Sequence, residues 1–258
     1  MSVAADRFIT IFSPEGLLWQ VEFAAKAVKQ SEITAIGVKG QNAIVVCVEK
    51  KIPNQLVEPS TVTHMFRITP HVGACLVGLA ADVSYLSRIL RYYATNFQYD
   101  NGFEMPISLL ATRLSEIHQQ ESQFAGLRPT AVSALIFGYD APSDDFSLFK
   151  VDPSGNYSGY KAVACESKEI EVMQAIEKIL KPPENNTSDE QIAPPPPLET
   201  AGDVAKFIMT NFQSILSTPG VFENSQFEMA VITKNNTKFR LMEGQTYQEL
   251  LSQAAAEI

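Results

Sequence analysis

Hydrophobic positions along this chain follow two periods, and the changes between them divide it into elements. After the turn Ser13-Pro14-Glu15-Gly16, an Ala-rich stretch without breakers predicts a helix over 18–30. Two β-branched runs, 33–39 and 43–49, flank Gly40-Gln41-Asn42 and predict a hairpin. Strands at 62–68 and 72–79 follow. The period then turns helical: Leu86, Ile89, Leu90, Tyr93, Ala94 and Phe97 recur behind Asp82, a residue able to cap the helix start. Pro106 opens a second helix with Ile107, Leu110, Leu114 and Ile117 on one face. Alternation returns in strands at 131–139, 146–151 and 157–164, joined by turn residues at 140–145 and 152–155. Helices over 168–180 and 201–216, a hairpin of 227–233 and 238–242, and a short C-terminal helix complete the series.

Short turns between successive strands favour antiparallel pairing, and helices arriving in pairs favour outer layers over parallel crossovers. About nine strands exceed what one open sheet usually holds. The expected architecture is α+β: a four-layer α/β/β/α sandwich of two antiparallel sheets. The whole of 1–258 reads as a single domain. Within it, 181–202 carries Pro182-Pro183, Asn185-Asn186-Thr187 and Pro194-Pro195-Pro196-Pro197, and is expected to be an exposed loop between two helices. The four prolines could also form a short polyproline II ligand, although a stiff linker accounts for them without repeated Pro-x-x-P context.

Composition narrows the function classes. A chain of 258 residues with 45% hydrophobic side chains can bury a full core without metal or disulfide. Its net charge of −9 and a densest basic run of only Lys50-Lys51 argue against nucleic acid as partner. No apolar stretch approaches the roughly 18 residues of a membrane span, and Met1 to Arg7 lack the basic start and apolar run of an export signal. Cys47, Cys75 and Cys165 are odd in number, far apart and set in apolar surroundings, so buried free thiols are expected.

Candidate chemistry is sparse. His64, His71 and His118 have no metal-ligand spacing, so no metal site is expected. No glycine loop that would cradle a phosphate and no Gly-x-Ser-x-Gly elbow is present, so no cofactor is expected either. Asp144-Asp145 fall in a turn, where solvated carboxylates are the ordinary outcome.

Specific words in the sequence carry the reading further. Asp6-Arg7-Phe8-Ile9-Thr10-Ile11-Phe12-Ser13-Pro14-Glu15-Gly16, followed by Gln20-Val21-Glu22-Phe23-Ala24, resembles the N-terminal signature of proteasome alpha subunits. Gly78-Leu79-Ala80-Ala81-Asp82, Leu127-Arg128-Pro129, Asp152-Pro153-Ser154-Gly155, Tyr160-Lys161-Ala162 and Lys238-Phe239-Arg240 extend the likeness in family order. Within the family, 12–16 and 60–69 are most similar to one eukaryotic subunit type.

The resemblance implies the sandwich of N-terminal nucleophile hydrolases with an extra N-terminal helix, and a noncatalytic place in a seven-membered outer ring. Implied partners are neighbouring alpha subunits, the beta ring and a regulatory particle or other activators, in cytoplasm and nucleus. Family beta subunits cleave with an N-terminal threonine whose own amino group is the base. Registering Gly37 on that strand puts Ile33 at the nucleophile, Glu49 at the helper carboxylate and Met65 at the helper lysine, each within about one residue. Two of the three groups are then absent, and the catalytic set is expected to be empty. Thr34 is the nearest candidate nucleophile, but a β-branched residue opening a strand is the stronger explanation and needs nothing further. Two other readings stay open: a hydrolase released by cleavage before Thr34, and a free binding module using the Pro-rich loop.

For the gate, the family's Tyr-Asp-Arg triplet with a nearby proline and tyrosine is matched at Asp6, Arg7 and Pro14. Ala5 and Phe23 stand where the family has hydroxyl-bearing aromatics, removing two phenolic groups. Activators in this family push a C-terminal tail between alpha subunits, where a lysine pairs with the tail carboxylate. His64 falls at or beside that lysine's place, although packing within a strand is an equal reading.

Overall fold

A computed structural model describes residues 8–52, 54, 56–166, 169–180, 198–215 and 226–244. Ten strands and five helices run in the order α1 (Trp19–Lys29), β1 (Thr34–Lys39), β2 (Ala43–Lys50), β3 (Met65–Arg67), β4 (Val72–Gly78), α2 (Ala80–Asn101), α3 (Ile107–Gln123), β5 (Val132–Asp140), β6 (Asp145–Val151), β7 (Tyr157–Gly159), β8 (Ala162–Glu166), α4 (Glu169–Leu180), α5 (Ala201–Ile215), β9 (Gln226–Thr233) and β10 (Arg240–Gly244). The strands form two antiparallel five-stranded sheets, β10-β9-β2-β1-β8 and β3-β4-β5-β6-β7.

Alternation in the strands explains the layers. Ile44, Val46 and Val48 of β2 join Leu135, Phe137 and Leu148 in a core between the two sheets. The opposite face of β2, with Val45 and Cys47, packs against Val172 and Ile176 of α4 and Ile208 and Phe212 of α5. On the other side Ala74, Leu76 and Ile136 meet Leu86 and Leu90 of α2 and Leu110 and Leu114 of α3. The result is the expected α/β/β/α sandwich, with α1 laid across β4 and β5.

The structure corrects several boundaries. The single strand expected at 157–164 is two, in different sheets. Tyr160 N–H donates to Leu148 O at 2.8 Å while Lys161 O accepts from Lys39 N–H at 2.8 Å, so the chain changes sheet between these residues. The run 62–68 is strand only at Met65–Arg67. The Thr63 hydroxyl donates to Met65 O at 3.1 Å and accepts from Met65 N–H at 3.2 Å, and the regular strand begins only after His64, whose carbonyl still accepts Leu76 N–H at 2.9 Å. Ala201 and Gly202 belong to α5, so the loop ends sooner than expected. The expected C-terminal helix and residues 181–197 lie outside the described residues.

Asp82 is not a cap. Helix α2 begins after Leu79 with no side-chain cap, and Asp82 sits inside its first turn. Gly78 explains why the chain can turn there: its φ is +147°, and a Cβ would come within 2.1 Å of Ala131 O.

Candidate functional site

Four regions carry the residues singled out in the sequence. At the N-terminus, Asp6 and Arg7 lie outside the described residues. Pro14 is exposed in a turn closed by Gly16 N–H donating to Ser13 O at 2.9 Å. The buried Ser13 hydroxyl also accepts from Leu17 N–H at 3.1 Å, fixing the entry into α1. Phe23 is on the outer face of α1, exposed and stacked on Trp19 at 5.9 Å, while Ala24 and Val28 face inward against Ala131. The helical spacing thus separates an exposed side from an anchoring side.

The nucleophile register can be examined residue by residue. Ile33 and Met65 both lie in the core between the sheets. Thr34 opens β1 one residue on, with the parity of Ile36 and Val38, which face α4 and α5. Glu49 is buried and, alternating with Val48, shares the parity of Cys47 on that same helix-facing side. The carboxylate and Ile33 are therefore on opposite faces of one sheet. N-terminal threonine chemistry at Thr34 would require cleavage after Ile33, to free the amine that acts as base.

His64 lies apart from Pro14 and Phe23, beside a buried ion pair that sequence reasoning missed. Lys50 Nζ is 3.2 Å from Glu228 Oε1, with side chains only 6% and 0% exposed. Glu228 Oε2 accepts from His64 N–H at 2.8 Å and from the Thr63 hydroxyl at 3.1 Å. One carboxylate from β9 therefore ties the segment leading into β3 to the other sheet. Both ring nitrogens of His64 are shielded from solvent without a hydrogen bond of ordinary geometry among the described residues. Burial holds the imidazole pKa below its usual value, and the nearby Glu228 charge offsets this only in part. Alternation could have signalled the pair: Glu228 shares a face with Ala230 and Ile232, and Lys50 shares one with Val46 and Val48.

The fourth region joins two sequence words that lie far apart in the chain. Asp82 takes both terminal nitrogens of Arg128, at 2.8 and 2.5 Å, and also accepts Ala131 N–H at 2.9 Å. Burial would raise the Asp82 pKa, but the Arg128 and Ala131 hydrogen bonds hold it below the carboxylate range. Next to them the Thr130 hydroxyl bonds Glu121 at 2.6 Å and His118 Nδ1 at 2.8 Å. His118 is fully buried, and burial lowers its pKa to about 4, with the Asp82 charge opposing. Threonine, histidine and glutamate recur here in triad-like contact, but the histidine has no exposure to a substrate.

Phe239, in the last of the family words, donates its N–H to Pro70 O at 2.8 Å and covers Gly73, where any Cβ would meet its ring at 2.5 Å. Among the described residues no cluster of three or more His, Cys, Asp or Glu side chains could hold a metal ion, and no helix is long and apolar enough to cross a membrane. The three cysteines are buried and form no disulfide with one another, and burial first of all raises the Cys47 and Cys75 thiols above the usual range.

Comparison with known proteins agrees with these words. The family model for proteasome subunits matches residues 28–193, and the model for the N-terminal signature of A-type proteasome subunits matches residues 6–27. The chain is 32% identical over 255 residues to the alpha type-6 proteasome subunit of Caenorhabditis elegans, covering 98% of this chain and 97% of that one. Alpha type 6 is also the type that 12–16 and 60–69 resemble. A probable alpha type-1 proteasome subunit of Schizosaccharomyces pombe is 42% identical over 176 residues, 68% of this chain and 72% of the relative. An alpha-type proteasome subunit of Methanocaldococcus jannaschii is 40% identical over 175 residues, 68% and 66% of the two chains. With signature, full-length likeness and sandwich in agreement, the chain belongs to the proteasome alpha-subunit family.

Proposed function

We propose that this subunit is a noncatalytic member of the seven-membered alpha ring of the proteasome core particle. It lies between two other alpha subunits and on the beta ring, in the cytoplasm and nucleus. There it contributes to the antechamber, the gate and the surface on which activators dock during ATP- and ubiquitin-dependent protein degradation. The observation that carries the noncatalytic reading is the register at β1. Ile33 and Met65, which the resemblance registers within about one residue of the nucleophile and the helper lysine, lie in an apolar core. The gate reading rests on the sequence match at Asp6, Arg7 and Pro14, with Phe23 exposed on the same terminal segment. For the activator pocket, the sequence register of His64 is the support.

Intact mass spectrometry of the subunit from purified core particles, combined with a threonine-directed covalent inhibitor, tests the proposal. The expected result is a chain that keeps the residues ahead of Thr34 and stays unlabelled. A labelled fragment beginning at Thr34 would establish a self-processed hydrolase instead. Recovery of the chain solely as a free 28.4 kDa species would remove the ring assignment.

A further inference from the structure

The Glu228 side chain is wholly buried, and its surroundings do little to offset the loss of water. Among the described residues Oε1 has no hydrogen bond of ordinary geometry and only the Lys50 ammonium at 3.2 Å. An ion pair held in this way is often worth no more to stability than two well-packed apolar side chains of similar volume. Oε2 is used differently. It accepts the His64 N–H at 2.8 Å and the Thr63 hydroxyl at 3.1 Å, reaching from β9 in one sheet to the residues that lead into β3 in the other. Because β3 lies at a sheet edge, no further strand is there to take that N–H. The carboxylate thus supplies two directed contacts at a place where the ladder supplies none.

We propose that Glu228, with Lys50 as its counter-charge, is a positioning residue that fixes the 63–65 segment and so sets His64 in place for the C-terminal carboxylate of an activator. This rests on the reading of His64 as a residue of the activator pocket. The charged groups that face the imidazole are Glu228 from β9 and Lys50 from β2, and the Leu76 carbonyl of β4 is also close. The carboxylate favours the protonated ring and the ammonium opposes it, with the carboxylate the stronger of the two. Glu228 therefore acts on His64 twice. It holds the backbone through the N–H, and it keeps protonation of the ring within reach when a second carboxylate approaches.

Two double variants separate position from stability. Lys50→Met with Glu228→Leu removes both charges and the acceptor, whereas Lys50→Met with Glu228→Gln removes the charges and keeps a carbonyl oxygen for the His64 N–H and the Thr63 hydroxyl. In the full chain both are expected to keep a denaturation midpoint near that of the wild type. The Leu variant should exchange the His64 amide roughly tenfold faster, and the Gln variant should restore most of the protection. By NMR, with His64→Gln to assign the signal, the His64 ring of the Gln variant should titrate at lower pH than in the wild type, a shift that loss of structure alone does not give. In assembled particles an activator tail peptide should bind the Leu variant roughly tenfold more weakly at pH 7.5 and the Gln variant nearly as well as the wild type. Unchanged exchange in the Leu variant, or no rescue by Gln, would overturn the positioning role. If the Leu variant does not fold, the Gln variant decides, and a ring titration identical to wild type would overturn the proposal. His64→Lys without effect on tail affinity would remove the pocket reading and this proposal together, whereas an effective His64→Lys beside full binding by the Leu variant would remove this proposal alone.

Discussion

Asp82 holds Arg128 by both carboxylate oxygens and, with one of them, the backbone N–H of Ala131. Ala131 in turn packs on Ala24 and Val28 of α1. The start of α2, the strap at 128–131 and the N-terminal helix therefore form one mechanical joint. Asp82→Ala leaves the Ala131 N–H without its acceptor, and a stability loss of about 1–3 kcal/mol is expected. Most of it belongs to the buried amide, since Arg128 is 60% exposed and its charge is screened. Chemical denaturation measures the loss, and hydrogen exchange should show faster opening of α1. Unchanged exchange in 19–29 would uncouple the helix from this joint.

Gly78→Ala acts on the same joint from the backbone. The added Cβ would sit 2.1 Å from Ala131 O in a conformation that L side chains rarely adopt. A loss of more than about 2 kcal/mol is expected, from strain and the displaced strap together. A melting temperature within a degree or two of wild type would show that the turn relaxes freely.

His118 makes stability depend on pH. Its folded pKa of about 4 lies below the ordinary value of 6.5, so the unfolded chain binds the extra proton first. Stability is then constant above pH 6.5 and falls as pH drops toward 4, by about 2 kcal/mol at pH 5. His118→Gln should cost stability at neutral pH and flatten this acid slope. Denaturation midpoints at pH 7.5, 6 and 5 decide it, and an unchanged slope in the variant would assign the acid sensitivity elsewhere.

The Pro-rich segment can be trimmed, with one limit that the sequence did not reveal. Leu198 O accepts Gln41 N–H at 2.9 Å, and its side chain packs against the core beside α5. Deleting 184–197 is expected to leave folding and particle incorporation intact, because loop length carries a small entropic cost. Extending the deletion through Leu198 should lower thermal stability. Exclusion of the shorter deletion from particles, with its helices formed, would make the segment an assembly contact.

If His64 lines an activator pocket, its neutrality sets the response. Burial keeps the ring uncharged at pH 7, so tail binding should be flat above pH 6.5 and tighten only at lower pH. His64→Lys supplies a permanent charge and should strengthen binding of an activator tail peptide at pH 7.5 by roughly fivefold. Identical affinity in variant and wild type at pH 7.5 and pH 6, in normally assembled particles, would take His64 out of the pocket.

Layers and element types were legible because burial on one or both faces leaves a period in the sequence. Leu86, Leu90 and Ala94 are buried, while Ile89, Tyr93 and Phe97 flank that stripe half-buried. What escaped was tertiary. The break at Tyr160 is a sheet change, and the strand-like composition of 157–164 carries no mark of it. Regular strand begins only after His64, whose carbonyl still accepts Leu76 N–H, while Glu228, more than 160 residues away, takes the His64 N–H and the Thr63 hydroxyl. Asp82 looked like a cap since Asp near a helix start usually is one, and its true partners lie 46 and 49 residues downstream. The family words at 78–82 and 127–129 were visible separately, but only the fold shows that they are two halves of one contact.

The strand order of the first sheet has a consequence for synthesis on the ribosome. Every residue of β2 is buried, and one of its two neighbours, β9, begins only at Gln226. Until the last eighth or so of the chain emerges, β2, apolar from Ala43 to Val48, therefore has an open edge on the side that β9 fills. An unpaired edge of this kind favours association, so chains truncated before Gln226 are expected to give less soluble product than the full chain.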